Sequence, residues 1–413
     1  MCPACRGVHT AGIRTGSSTP ANVVGPGTLP VVEGAEGTAN GPPAPRTRAR
    51  ALGIEIGTMP PGPTNSIVDV ANVRVGHATV WFDEPAPPAG RGVARTGVTA
   101  IVPFSPGELF EARVPSGAAV LNGAGELTGF LQAREWGSLE TPVLLTRTMG
   151  VGRVYDGVVD VMLRSNPDVG ATDVVIPTVG ECDDSWLSDG RAVQVEASDV
   201  TRAVDAARGA EAGPVIEGAV GAGTGMVCLG FKGGIGSASR VVPPTGYHVG
   251  VLVLANFGDG AALTVDGVPV GRQFVEEGWK AARDAPEGSC IVVLATDAPL
   301  SSRQLQRFAA RAGLGLARTG SVAHHGSGEI FVAFSTGARM SRTPETNIFH
   351  RNLVRDEVLN PFFAAAVEAT EEAVVNCLVA ADTVAGHHGH VATGIPLDRL
   401  TAIMRAHGRL HRR

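Results

Sequence analysis

The chain predicts an α/β fold with helices packed on sheets, and three observations carry that prediction. Residues 246–258, "GYHVGVLVLANFG", form a near-continuous apolar run, as a strand covered on both faces requires. Residues 151–165 place Val151, Val154, Tyr155, Val158, Val159, Met162 and Leu163 at i, i+3, i+4, i+7 spacing before Asn166-Pro167. That is an amphipathic helix with a stop signal. Helical and strand-like stretches then mix from about 66 to 382 without a linker-like break or an internal repeat. Helices layered on sheets in one domain are the simplest outcome.

Taken in order, residues 1–50 are rich in Gly, Pro, Ala, Ser and Thr and end in "PRTRAR". Such a segment buries too little surface to offset its ordering entropy, so it reads as a disordered tail ahead of a domain over 51–413. "SIVDVANVRVGHATV" alternates Ile67, Val70, Val73 and Val75 with polar residues, and predicts a strand that turns at Gly76-His77. The helix over 151–165 follows. Further strands are predicted at roughly 173–177, 249–255, 290–295 and 329–335. Ser301 or Ser302 caps another helix, whose Leu305, Phe308, Ala309 and Ala312 share one face and whose Arg303, Arg307 and Arg311 form a solvated stripe. A last long helix starts at the cap Asn360, with Pro361 at its first position, and runs to about Ala381.

Composition narrows the function. The 413 residues are 44% hydrophobic and 18% charged, which allows a sizeable core. A net charge of −6 and the lack of a basic stretch argue against nucleic-acid binding, since nothing could neutralise a row of phosphates. Two tyrosines make a base-stacking platform equally poor. The six cysteines are scattered, and Cys228, Cys290 and Cys377 lie in apolar runs as small buried hydrophobes. Cys2-Pro-Ala-Cys5 is a lone CxxC with no second pair to complete a zinc site. No apolar stretch reaches the roughly 18 residues of a membrane helix, and the N-terminus lacks a signal-peptide core, so a soluble cytoplasmic protein is expected.

Several familiar site signatures are missing: GxxxxGK[ST], HExxH and GxSxG do not occur. "GAGTGM" at 221–226 shares only glycines with a dinucleotide fingerprint. His324-His325 and His387-His388-Gly-His390 have no carboxylate at ligand spacing, so neither metal nor cofactor is expected.

The junction Gly288-Ser289 stands directly before the apolar run "CIVVLA". The plain reading is a serine that satisfies the first backbone group of a strand. The alternative is self-cleavage. A serine that becomes a chain's first residue gains an α-amine titrating near 8 beside its own hydroxyl. Cleavage then creates a general base next to a nucleophile. A flexible glycine before the serine and a rigid strand after it are what this chemistry needs. Gly236-Ser237 meets the same demands less cleanly.

Resemblance separates the two junctions. "GPTNSIVDVANVRVGHATV" (62–80), "GAAVLNGAGELTGF" (117–130), "GAGTGMVCLGFKGGIGSASR" (221–240), "VGVLVLANFG" (249–258), "GSCIVVLATDAPL" (288–300) and "GSGEIFVAFST" (326–336) resemble the DmpA family of self-processing aminopeptidases. The match spans about 51–385 in the family's order. It implies a four-layer αββα sandwich of the Ntn-hydrolase type shared with ornithine acetyltransferase. It also implies one chain cut before a serine into an α part ending at Gly288 and a β part starting at Ser289, and a homotetramer. The activity implied is release of N-terminal residues, including D- or β-amino acids, from small peptides, amides or esters without a cofactor.

Carried across, the resemblance assigns the nucleophile to Ser289, a second serine and an acid to Ser327 and Glu329, and the oxyanion donor to Asn256. A carboxylate such as Glu329 is a natural acceptor for a substrate ammonium group. In "VGECDDSWLSDG" (179–190) the family's site-lining aromatic residue appears as Trp186, and its Leu-Asn-Asp as Leu187-Ser188-Asp189. Two other readings are an ornithine-acetyltransferase-like acyltransferase, which Ser289 disfavours because those enzymes use threonine, and a non-catalytic relative that binds amino-acid derivatives.

Overall fold

The computed structural model describes residues 46–211, 213–282, 288–348 and 350–411. The longer strands are β1 (Val73–Asp83), β2 (Val93–Pro103), β3 (Ala112–Gly123), β4 (Val143–Arg147), β5 (Thr178–Cys182), β6 (Gly234–Val242), β7 (Tyr247–Asn256), β8 (Ser289–Thr296) and β9 (Gly328–Ser335). The helices used below are α1 (Val151–Ser165), α2 (Ala197–Gly209), α3 (Ser302–Ala309), α4 (Ala312–Arg318) and α5 (Asn360–Ala380).

Two sheets result. The first has the order β1-β2-β4-β5, and the second runs β3-β9-β8-β7-β6 with the short strand Met340–Ser341 outside β3. In the second sheet β8 and β9 are parallel, whereas β7 pairs antiparallel with both β6 and β8.

Side-chain alternation explains the layering, because successive residues of a strand face opposite sides. Along β7 and β8, Leu252, Leu254, Ile291 and Val293 meet Val75, Ile101 and Leu145 of the first sheet. Their neighbours Val251, Val253, Val292 and Leu294 face outward against Phe308, Leu316, Ala369 and Ala373 of α3, α4 and α5. The far face of the first sheet, with Val98, Ala100 and Leu144, is covered by Val154, Val158 and Met162 of α1 and Val200 and Val204 of α2. The order is therefore helices, sheet, sheet, helices, the αββα sandwich that the resemblance implies.

Local differences from the sequence reading have physical causes. The chain does not turn at Gly76-His77, because β1 runs straight through them. Gly76 is there for a close approach, since a Cβ would collide with the Ala203 carbonyl and the Ala207 amide of α2. The apolar residues ahead of it form a 3₁₀ turn at Ile67–Asp69. The strand placed at 173–177 lies at Thr178–Cys182 instead, leaving Val174 and Ile176 exposed. Ser301 caps α3, as read, with its hydroxyl accepting the Gln304 N–H, but α3 stops at Ala309 and α4 restarts at Ala312. The cap of α5 is Leu359, one residue before Asn360. "GAGTG" is a buried 3₁₀ turn.

The tail reading also needs one correction. Most of residues 1–50, including Cys2 and Cys5, lies outside the described residues. Packing nevertheless begins at Arg46, ahead of the expected boundary at 51. Arg48 pairs with Glu217 at 2.7 Å, Arg50 pairs with Glu372 at 2.8 Å, and the Ala49 N–H donates to Asn376 at 2.9 Å. Among the described residues no helix is long and apolar enough to cross a membrane.

Candidate active site

Ser289 opens β8, and the ladder fixes it from both sides. It stands opposite Asn256, the last residue of β7, and opposite Gly328, the first residue of β9. The Gly328 N–H donates to the Gly288 carbonyl at 3.0 Å, so the acyl group before Ser289 already rests on a donor. A cleft of about 650 Å³ opens here, lined by Gly288, Ser289, Asn256, Glu181, Asp183 and Thr148 among others. Ser289 is only 5% exposed, at the floor of this cleft.

Asn256 follows the parity of Leu252 and Leu254, which places its side chain on the inter-sheet face with Ser289. Its carboxamide is held at both ends. Oδ1 accepts the Val227 N–H at 2.9 Å, and Nδ2 donates to the Asp183 carbonyl at 2.8 Å. Behind it stands Lys232, whose ammonium is fully buried and donates to the carbonyls of Gly223, Met226 and Gly233 at 3.0, 2.8 and 2.7 Å. Burial pushes this lysine's pKa down to about 7.

Ser327 and Glu329 form a tight pair, the Ser327 hydroxyl donating to Glu329 Oε1. Both are buried, and the other Glu329 carboxylate oxygen has no hydrogen-bond partner among the described residues. Burial raises the Glu329 pKa, with the Ser327 hydrogen bond opposing. Glu329 shares the register of Cys290 rather than of Ser289, and the pair flanks Gly328 at the start of β9 without lining the cleft.

The sequence reading missed Glu181. It lines the cleft, accepts the Glu126 N–H at 2.9 Å, and receives the Thr148 hydroxyl on its second oxygen. Burial raises its pKa, the Thr148 and Glu126 donors oppose this, and the neighbouring Asp183 adds to it. A glutamate at the end of an apolar strand, "VIPTVGEC", followed by acids and no base, was the available signal. Trp186 is not among the lining residues. Its ring stacks on His390 with centroids 3.6 Å apart, and the segment offers the cleft Asp183 and Ser185 in its place. Ser237, in the competing junction, sits mid-strand in β6. Its hydroxyl donates to the Val251 carbonyl at 2.7 Å and accepts the Ile67 N–H at 2.8 Å, a purely structural engagement.

A two-sheet sandwich that seats a serine at the head of a central strand, with its preceding carbonyl already on a donor, defines an Ntn-type hydrolase. The comparisons agree with this class. The model of peptidase family S58 matches residues 65–392, and the chain belongs to that family. The beta-peptidyl aminopeptidase BapA of Sphingosinicella microcystinivorans is 40% identical over 380 residues, covering 88% of this chain and 93% of that protein. Among solved structures, the L-aminopeptidase D-Ala-esterase/amidase of Ochrobactrum anthropi superposes with a TM-score of 0.79 at 38% identity, covering 88% of this chain and 99% of that one. It is described as a prototype of the serine aminopeptidases and a variant of the Ntn hydrolase fold. The PH0078 protein of Pyrococcus horikoshii gives a TM-score of 0.82 at 44% identity, covering 88% of this chain and all of that one. The chain is a serine aminopeptidase.

Proposed function

We propose that this aminopeptidase matures by cutting itself between Gly288 and Ser289 and then uses Ser289 as its nucleophile. The hydrogen bond from Gly328 N–H to the Gly288 carbonyl carries this reading. Attack by the Ser289 hydroxyl on that carbonyl transfers the acyl group from nitrogen to oxygen. Water then hydrolyses the ester, leaving a Gly288 carboxylate and a free Ser289 α-amine. A donor aimed at the developing oxyanion is the feature that lowers such a barrier. In turnover the α-amine takes the hydroxyl proton as Ser289 attacks the substrate carbonyl and Asn256 Nδ2 donates to the oxyanion. The proton passes to the leaving amine or alcohol as its bond to the carbonyl breaks, and water then hydrolyses the acyl-enzyme to free the N-terminal residue and Ser289. The Ser327–Glu329 pair holds the start of β9, the strand that pairs with the one carrying the serine.

The substrate's terminal ammonium goes to Glu181. This carboxylate lines the cleft, whereas Glu329 is committed to Ser327 and lies outside the lining. Small peptides, amides and esters with an α- or β-amino terminus fit this arrangement, and the β-peptidyl activity named for the BapA relatives supports the β-residues. Trp186 acts indirectly, by fixing the segment that carries Asp183. The proposed assembly is a cytoplasmic homotetramer, supported by exposed Leu131, Trp136, Val174 and Ile176 around two surface grooves, and light scattering after gel filtration tests it.

The test of the main reading is protein chemistry. Purified enzyme should contain a fragment whose N-terminus reads SCIVVLATD. Ser289→Ala should remain one inactive chain, and Ser237→Ala should still be cut. Full activity in an uncut chain overturns the proposal.

A further inference from the structure

Lys232 is hard to explain as a stabilising residue. A fully buried cation whose hydrogen-bond partners among the described residues are three carbonyls and no carboxylate costs folding free energy, and an apolar side chain of the same length would fill the space at lower cost. Its surroundings are also strained. The hairpin carrying it turns through Leu229 at φ 47° and Gly230 at φ 74°, the first a left-handed conformation that leucine rarely adopts. The hairpin is docked against the end of β7 by two backbone donors: Val227 N–H reaches Asn256 Oδ1 at 2.9 Å, and Leu229 N–H reaches the Phe257 carbonyl at 2.6 Å.

One connection gives this arrangement a purpose. The Met226 carbonyl that accepts from Lys232 and the Val227 N–H that donates to Asn256 belong to the same peptide group. We propose that Lys232 is a positioning residue that acts on the reaction through two amides, the Met226–Val227 peptide and the Asn256 carboxamide. Its ammonium draws electron density toward the Met226 oxygen, which sharpens the Val227 N–H as a donor. That donor in turn draws density toward Asn256 Oδ1 and makes Nδ2–H a stronger and better-aimed donor to the oxyanion. Hydrogen bonds in such chains reinforce one another by about 10–30% each in a low-dielectric interior. The same bonds fix the carboxamide's orientation, so charge and alignment act together.

The inference rests on the assignment of Asn256 to the oxyanion, and a double-mutant cycle separates the two. Lys232→Met keeps the length and removes the charge and its donors. Measured on self-cleaved enzyme with an aminoacyl p-nitroanilide, it should lower kcat about tenfold and leave KM within about twofold, since only transition-state stabilisation is touched. In an Asn256→Ala background the same change should cost less than about twofold, because the relay no longer ends on the substrate. Lys232→Gln, which restores a donor without the charge, should lie between wild type and Lys232→Met, and it replaces that variant if the methionine protein does not fold.

Equal losses in both backgrounds, an effect on KM alone, or an unchanged kcat overturn the role of Lys232. A loss that tracks only the yield of folded protein in both variants does so as well, by making Lys232 structural. Wild-type kcat in Asn256→Ala alone overturns the oxyanion assignment itself.

Discussion

Buried carboxylates are treated in opposite ways on the two sides of the second sheet. Under α5, Glu372 is completely covered and meets Arg240 at 2.7 Å and Arg50 at 2.8 Å, while Glu368 meets Arg240 at 3.1 Å. Burial works against the Glu368 charge, yet the Thr58 and Met59 N–H groups and Arg240 together hold its carboxyl below the ordinary value. In the cleft, Glu181 receives only hydroxyl and N–H donors, and burial pushes it above the ordinary value. Where a carboxylate has only to hold the fold, the chain supplies an arginine. Where it faces the cleft, the place of the cation is left for the substrate.

The largest effect that would break this contrast is on stability. Arg240→Met takes the shared guanidinium from two buried carboxylates, leaving Glu372 only Arg50 as a cation and Glu368 none among the described residues, and should cost about 3–5 kcal/mol in a denaturant titration. Glu181→Gln should leave the denaturation midpoint unchanged or slightly higher, since a charge disfavoured by burial is removed. An equal fall in both variants would erase the distinction.

The next effect is on turnover. If Glu181 accepts the ammonium through a charge-assisted hydrogen bond, Glu181→Gln should lower kcat/KM roughly ten- to a hundredfold. N-acetylated substrates should not be turned over by the wild type. The acid side of the profile sharpens this. Because burial raises the Glu181 pKa, its charged form is lost on acidification at a higher pH than for an ordinary glutamate, and kcat/KM should fall there with it. The glutamine variant should lack that limb in kcat/KM against pH. Retention of the limb would assign it to another group, with Glu329 the first to test by Glu329→Gln.

A smaller effect separates the two ends of the N-terminal segment. Removing residues 2–45 should leave thermal stability and activity near those of the full chain, on the compositional reading of that stretch. Extending the deletion through residue 50 takes away Arg48 and Arg50 and should lower the melting temperature by several degrees more. The smallest expected effect is none. Dialysis against EDTA should leave activity intact, and zinc restoring a lost activity would overturn the metal-free reading. Among the described residues no group of three or more His, Cys, Asp or Glu side chains is placed to hold a metal.

The legible parts of the sequence were those where local and long-range demands coincide. β7, β8 and β9 are continuous apolar runs because both of their faces are covered, and α1 shows its stripe because only one of its faces is. The strand at 178–182 was displaced in the reading because the residues just before it, Val174 and Ile176, are apolar yet exposed, and periodicity cannot see where a surface lies. The serine junction has a local pattern, glycine then serine then an apolar strand, but Gly236-Ser237 shares it and resemblance had to separate the two, while the Ser327–Glu329 pair was reached through resemblance alone. Glu181 and Lys232 were missed for a shared reason. Each is a single charged residue in an apolar or glycine-rich strand, and its partners, the Glu126 N–H and the distant Thr148 hydroxyl for Glu181 and three carbonyls for Lys232, are groups that spacing does not reveal.

The ladder around β8 has a consequence for the life of the mature protein. A chain cut before Ser289 is two polypeptides, but β8 and β9 of the second lie between β7 and β3 of the first, paired along their lengths on both sides. Neither piece can leave without unzipping the middle of the sheet. Once unzipped, the pieces must find each other again, so reassembly depends on concentration where the original folding did not. The proposed cut would thus make folding a one-time event, with the enzyme's persistence governed by how slowly it opens rather than by an equilibrium it can revisit.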